Sequence, residues 1–168
     1  MKRLFSLVVL ISMSVWGQQE PQYTQYMFNP TVINPAYAGS TGYGSIFSMY
    51  RAQWLGLEGA PRTINLAYHQ PFENSHLGIG ANLLRDEIGP TSTTFAAVDI
   101  SYTIALANES RLAFGVKAGG ELFNIDNQKL KSFNPADPFL QQNLQNQFSP
   151  NIGVGLYYYN DKSYLGLS

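Results

Sequence analysis

From about residue 44 onward the chain repeats with a period of two, in segments of roughly ten residues separated by Gly, Pro, Asn and Asp. Leu77, Ile79, Ala81 and Leu83 alternate with Gly78, Gly80 and Asn82. Ala96, Val98, Ile100, Tyr102 and Ile104 alternate with Phe95, Ala97, Asp99, Ser101 and Thr103. The pattern returns with Leu112, Phe114, Val116 and Ala118 set against Ala113, Gly115, Lys117 and Gly119. It appears once more with Ile152, Val154, Leu156 and Tyr158 set against Gly153, Gly155, Tyr157 and Tyr159. Successive side chains of a strand point to opposite faces, so each segment has one bulky apolar face and one small or polar face. Asn82, Asp99 and Lys117 fall on the second face in mid-strand.

Composition decides which kind of sheet this is. Hydrophobic residues make up an ordinary 45% of the chain, but only 12% of residues are charged, about half the roughly 25% of a soluble domain. A soluble sandwich buries its bulky face against a second sheet and needs Lys and Glu on the other, which this chain cannot supply. In an outer-membrane barrel the bulky face meets lipid and the small or polar face meets the lumen. The expected fold class is therefore all-β, an antiparallel up-and-down outer-membrane β-barrel. A net charge of −1 leaves no basic field for nucleic acid, and the 14% aromatic content argues against disorder. The absence of Cys excludes disulfides, thiolate metal sites, a Cys nucleophile and a lipobox.

Strands are expected near 44–54, 63–70, 76–86, 93–105, 110–124, 151–159 and from 163 onward. The gaps then read long (55–62), short (71–75), long (87–92), short (106–109), very long (125–150) and tight (160–162). Bacterial barrels have short periplasmic turns and longer extracellular loops, so the first strand starts in the periplasm. This divides the chain into a leader at 1–17, a periplasmic or lumenal segment at 18–43 and barrel strands at 44–168. The sequence ends within an apparent strand at Tyr164-Leu165-Gly166-Leu167-Ser168. An odd, open set of strands exposes unpaired edges, so the expectation is about the first half of an incomplete barrel. Aromatic residues gather toward strand ends (Tyr50, Trp54, Phe72, Tyr102, Phe123, Tyr164), as interfacial girdles require.

The leader has a basic start, Met1-Lys2-Arg3, an apolar run from Leu4 to Val15 and a small residue at Gly17 before polar Gln18-Gln19-Glu20-Pro21. That is the form of a cleaved secretory signal peptide. The run is too short for the roughly 20 residues of a transmembrane helix.

Candidates for catalysis do not assemble. His69 and His76 flank a short turn with Glu73 as the sole nearby carboxylate, which reads as a solvated turn pair and not a metal site. Ser75-His76 lacks a nucleophile elbow and an orienting acid. Asp86 and Glu87 are adjacent on a strand and point to opposite faces, unlike a cooperating acid and base. Gly78-Ile79-Gly80 and Gly153-Val154-Gly155 lie within strands and form no phosphate cradle; glycine there keeps inward positions small or lets the sheet curve. No catalytic residue, cofactor or metal is expected.

The most distinctive stretch is Pro21-Gln22-Tyr23-Thr24-Gln25-Tyr26-Met27-Phe28-Asn29-Pro30, followed by Ile33-Asn34-Pro35-Ala36-Tyr37-Ala38-Gly39-Ser40. By itself it reads as a Pro-punctuated linker with Asn-Pro turns. It resembles the start of the PorP/SprF family of type IX secretion membrane proteins. Further matches follow in order: Tyr50-Arg51-Ala52-Gln53-Trp54, Gly59-Ala60-Pro61-Arg62-Thr63, Asp86-Glu87-Ile88-Gly89-Pro90-Thr91, Gly115-Val116-Lys117-Ala118-Gly119 and the run from Pro150 to Tyr159.

The resemblance implies a non-enzymatic outer-membrane barrel of the type IX export and gliding apparatus. Its partners would be outer-membrane lipid, periplasmic and outer-membrane secretion components, and an exported cargo or adhesin. The residues expected to contact partners or plug the lumen are Tyr23, Gln25, Tyr26, Asn29, Pro30, Asn34, Pro35 and Tyr37, with loop 125–150 meeting cargo outside. Two competing expectations are a FadL-like channel for hydrophobic solutes, which shares an Asn-Pro-Ala element like Asn34-Pro35-Ala36, and an outer-membrane enzyme using Ser75 or His76.

Overall fold

A computed structural model describes residues 26–127 and 144–168. Seven antiparallel strands form one sheet in sequence order: β1 (Ser45–Ala52), β2 (Arg62–Pro71), β3 (Leu77–Ile88), β4 (Thr91–Ala105), β5 (Arg111–Ile125), β6 (Leu144–Tyr159) and β7 (Tyr164–Leu167). Every neighbour in space is a neighbour in sequence, so the sheet is an up-and-down meander, curled into a half-barrel. Among the described residues no α-helix is present, and no helix is long and apolar enough to cross a membrane. The expected leader at 1–17 lies outside the described residues.

Register fixes which residues share a face. Asp99 pairs with Lys117, Ile100 with Val116, and Gly115 with Gly155. The two faces sort by polarity in the reverse of a water-soluble sheet. On the convex side Ile100 and Val116 are 58% and 54% exposed, while on the concave side Asp99 and Lys117 are 1% and 5% exposed. Asn65, Asn82 and Ser101 are buried on the concave side as well.

Two connections differ from the sequence expectation. The gap at 87–92 is not a long loop, because β3 and β4 run on until only Gly89 and Pro90 separate them, with Gly89 at φ 56°. Thr91 and Ile88 pair directly across the turn. Polar Thr91 to Thr94 lack an apolar alternation, yet their backbone completes the ladder with β5, where Thr91 meets Ile125.

The loop expected over 125–150 is also shorter, since β6 begins at Leu144 and not near 151. Its first half, from Gln145 to Pro150, has Phe148 as its one large apolar residue and carries a proline, so side-chain periodicity hides it. The long β5 supplies the partner: Glu121 pairs with Ser149 and Gly120 with Pro150. The register slips between Phe123 and Ile125, where Asn146 takes a φ of 56° and its N–H donates to Asn124 Oδ1 at 2.6 Å. Residues 128–143, including the centre of the loop expected to meet cargo, lie outside the described residues.

Connections 53–61, 89–90 and 126–143 leave one end of the sheet, and 72–76, 106–110 and 160–163 leave the other. At the first end, loop 53–61 is tied to the β3–β4 turn by Gly89 N–H donating to Gly59 O at 2.9 Å. At the second end, the chain enters β1 from the N-terminal segment.

Candidate functional site

The N-terminal segment folds into three 3-10 turns, Tyr26–Phe28, Pro30–Val32 and Pro35–Tyr37. Proline suits the second and third, because it occupies the first position, where a missing N–H costs nothing and its fixed φ is already helical. Asn34 caps the third turn by accepting Ala36 N–H on Oδ1 at 2.9 Å. Such short turns bury little by themselves. They are held because the segment lies in the concave face of the half-barrel, where the second turn meets β3 and the third meets β4, β5 and β6.

Three sets of contacts seat the segment. The first is a polar rung across β3, β4 and β5. The Thr31 hydroxyl lies 2.5 Å from Asn29 Oδ1 and 3.1 Å from Asn82 Oδ1, and Asn82 Nδ2 donates to Asp99 Oδ2 at 2.6 Å. Lys117 Nζ donates to the carbonyls of Thr31 at 3.0 Å and Val32 at 2.5 Å, and lies 3.9 Å from Asp99 Oδ1. The Lys117 charge is thus shared between one carboxylate and two carbonyls that end a turn, and both ions of the pair are buried with hydrogen-bond partners.

The second set uses Asn34 and Ser101. Asn34 Nδ2 donates to Leu156 O at 2.8 Å and Leu167 O at 3.2 Å, which joins the segment to β6 and β7. Ser101 Oγ donates to Ala38 O at 2.5 Å. These contacts require inward positions without side chains: a Cβ on Gly115 would stand 2.1 Å from Ala36 N, and one on Gly155 would stand 2.1 Å from Asn34 Oδ1.

The third set is aromatic. The Tyr37 ring meets His69 edge-on at 5.5 Å and Tyr157 at 5.3 Å. His69 Nδ1 also accepts Gly39 N–H at 3.4 Å. Burial, then the nearby Tyr43, pushes the Tyr37 phenol above its ordinary value, and a hydrogen bond with Ser40 opposes the shift.

The sequence-predicted residues are therefore brought together in part. Asn29, Asn34 and Pro35 are buried against the sheet, Pro30 and Tyr37 half-buried. Tyr26 opens the first turn, and Tyr23 and Gln25 lie outside the described residues. Sequence reasoning missed Thr31, which sits between the two quoted motifs, and placed His69 in a solvated pair with His76. His69 is instead 7% exposed and holds the segment, while His76 packs beside Tyr102 at 5.8 Å. Asn82, Asp99 and Lys117 carried a signal as polar residues in mid-strand, but nothing in their spacing named a partner. The pair Asp86 and Glu87 is divided: Asp86 accepts the Thr63 hydroxyl at 2.6 Å, and Glu87 pairs with Arg85 at 2.7 Å.

A sheet with aliphatic residues exposed on its convex side, charges buried on its concave side and its own chain seated among them is a half-barrel suited to a membrane, with an occupied interior. The family described as "Type IX secretion system membrane protein PorP/SprF" matches residues 15–168. The chain belongs to that family and is a membrane component of type IX secretion, a class whose members work with other components of the same system. No curated protein and no solved structure matches it.

Proposed function

We propose that the protein is a non-enzymatic outer-membrane component of the type IX secretion and gliding machinery, which supports export or surface anchoring of cargo such as an adhesin. In this reading residues 1–17 direct passage through the inner membrane, the convex face contacts outer-membrane lipid, and residues 18–43 plug the lumen. The single observation that carries it is the inverted burial of the sheet, aliphatic side chains outward and Asp99 and Lys117 inward, in a chain of this family. The plug offers partner-contact groups at the periplasmic mouth, with Tyr37, Ser40 and Thr41 beside the hairpin turn at 160–163. Loop 53–61 faces the cell exterior, where cargo is delivered.

These 168 residues contain no Cys, so the topology of this part of the protein is directly testable. Gly56→Cys in loop 53–61 and Asp161→Cys in the hairpin turn place single thiols at opposite ends of the sheet. In intact cells an impermeant maleimide is expected to label the first, and to reach the second only after the envelope is opened. The reverse pattern overturns the orientation. For the function, a deletion strain is expected to lose one exported adhesin from its surface while keeping other outer-membrane barrels; unchanged surface display of every cargo overturns the export role.

A further inference from the structure

Beside the plug, the hairpin turn between β6 and β7 borders an open pocket of about 310 Å³. Tyr157 lines it and joins the other three tyrosines there. The Tyr157 ring stacks on Tyr159 with centroids 5.1 Å apart and planes at 27°, and Tyr37 and Tyr164 close in at 5.3 Å and 5.9 Å. The rim is polar, with Ser40 and Thr41 from the N-terminal segment facing Asn160, Asp161 and Ser163 from the turn. Asn160 Oδ1 accepts the N–H groups of Lys162 and Ser163, each at 2.8 Å, so the turn presents its rim in a set shape.

We propose that this pocket is a saccharide-binding site, in which a pyranose ring stacks on the tyrosine surface and its hydroxyls bond to the rim. An aromatic face is electron-rich and attracts the slightly positive C–H groups that line one face of a sugar ring. A sugar hydroxyl both donates and accepts, and Tyr, Ser and Thr hydroxyls can meet it in either sense. The carboxylate of Asp161 only accepts, and so selects a ligand rich in donors. A proline-rich peptide, the other usual guest of an aromatic-lined groove, offers mainly carbonyl acceptors and few N–H donors for Asp161. Adjacent Asp161 and Lys162 cancel in charge, which disfavours selection of an anion. Tyrosines supply this surface at low entropic cost, since each has two side-chain torsions and several are already held by one another. The site does not depend on the export role or on which side of the membrane it faces.

The test uses the full-length protein in a detergent without a sugar headgroup, with calorimetry and saturation-transfer NMR. The probes are an N-acetylglucosamine tetramer, maltotetraose and a proline-rich decapeptide. Binding of either oligosaccharide but not the peptide is expected, and preference between the two separates an N-acetylated wall-type glycan from a plain glucan. Tyr164→Ala, which removes one ring of the cluster and leaves the backbone pairing of β7 with β6 in place, is expected to weaken sugar binding about tenfold or more, and Asp161→Asn to weaken it less. Failure of both sugars to bind folded protein, binding of the peptide in their place, or undiminished affinity in Tyr164→Ala overturns the proposal.

Discussion

Asp99 and Ile100 are consecutive residues of β4, yet the carboxylate is 1% exposed and the aliphatic side chain 58% exposed. Their partners on β5, Lys117 and Val116, repeat the contrast. In a protein surrounded by water this sorting is unfavourable on both counts, since apolar area left in solvent forfeits burial and a buried charge must be compensated. In a bilayer the convex face has its proper solvent. The concave face then needs an internal solution for its charges, and the N-terminal segment provides it with two backbone carbonyls and a hydroxyl. The two faces of one strand therefore answer to different media, and substitutions on them should fail for different reasons.

The largest effect is expected at Lys117. Lys117→Met removes the donor to Thr31 and Val32 and leaves Asp99 without its cation, which costs about 3–5 kcal/mol for a buried pair. Equilibrium unfolding of the purified protein should show that loss, and limited proteolysis should find the N-terminal segment newly cleavable. Val116→Met, one residue away on the lipid side, is expected to change neither; equal effects at the two positions would erase the contrast between the faces.

Next comes the convex face. Ile100→Arg is expected to destabilise insertion by about 2–4 kcal/mol near the bilayer midplane. Folding into lipid vesicles measures it, and the N-terminal segment should stay protected because no contact to it changes. A smaller but sharper test is Gly115→Ala. The added methyl would stand 2.1 Å from Ala36 N, and overpacking of this kind costs about 1–3 kcal/mol. Here the expected readout is the reverse of Ile100→Arg: normal insertion with a displaced, protease-sensitive segment.

The smallest effect concerns pH. The Tyr37 phenol lies above its ordinary value of 10.0, with burial the main cause and the charge of Tyr43 second. The docked state therefore holds its proton more tightly than the released state does. Its contribution is complete below pH 10 and is lost as pH rises through the shifted value. Thermal melts across the alkaline range should show docking weaken, and Tyr37→Phe should flatten that dependence while leaving the neutral-pH melt close to wild type.

How much of this was legible in the sequence differs element by element. β3, β4 and β5 announce themselves because alternation between the two faces is a local property, visible in any ten residues. The first half of β6 does not, because Gln145 to Pro150 is paired through its backbone with the end of β5, and backbone pairing leaves no mark on side-chain type. The turn at Gly89-Pro90 was overestimated in length for the same reason. In the site, the capping role of Asn34 follows from Asn-Pro chemistry within three residues, whereas its bonds to Leu156 and Leu167 span 122 and 133 residues of sequence. His69 was misread because its partner Tyr37 arrives from a distant segment and not from the turn beside it.

The sequence alone determined the sorting of side chains between the two faces. A period of two with aliphatic residues on one side, and too few charges to wet the other, suits the aliphatic face to an apolar medium whatever the curvature of the sheet. Only the tertiary structure decided what occupies the concave side. Small residues at Gly115 and Gly155 and charges at Asp99 and Lys117 are equally compatible with an open aqueous lumen. They become a binding surface for the N-terminal segment only when curling brings four strands within reach of one short run of 3-10 turns. Steric room and the satisfaction of buried charge are properties of that assembled volume, not of any stretch of chain.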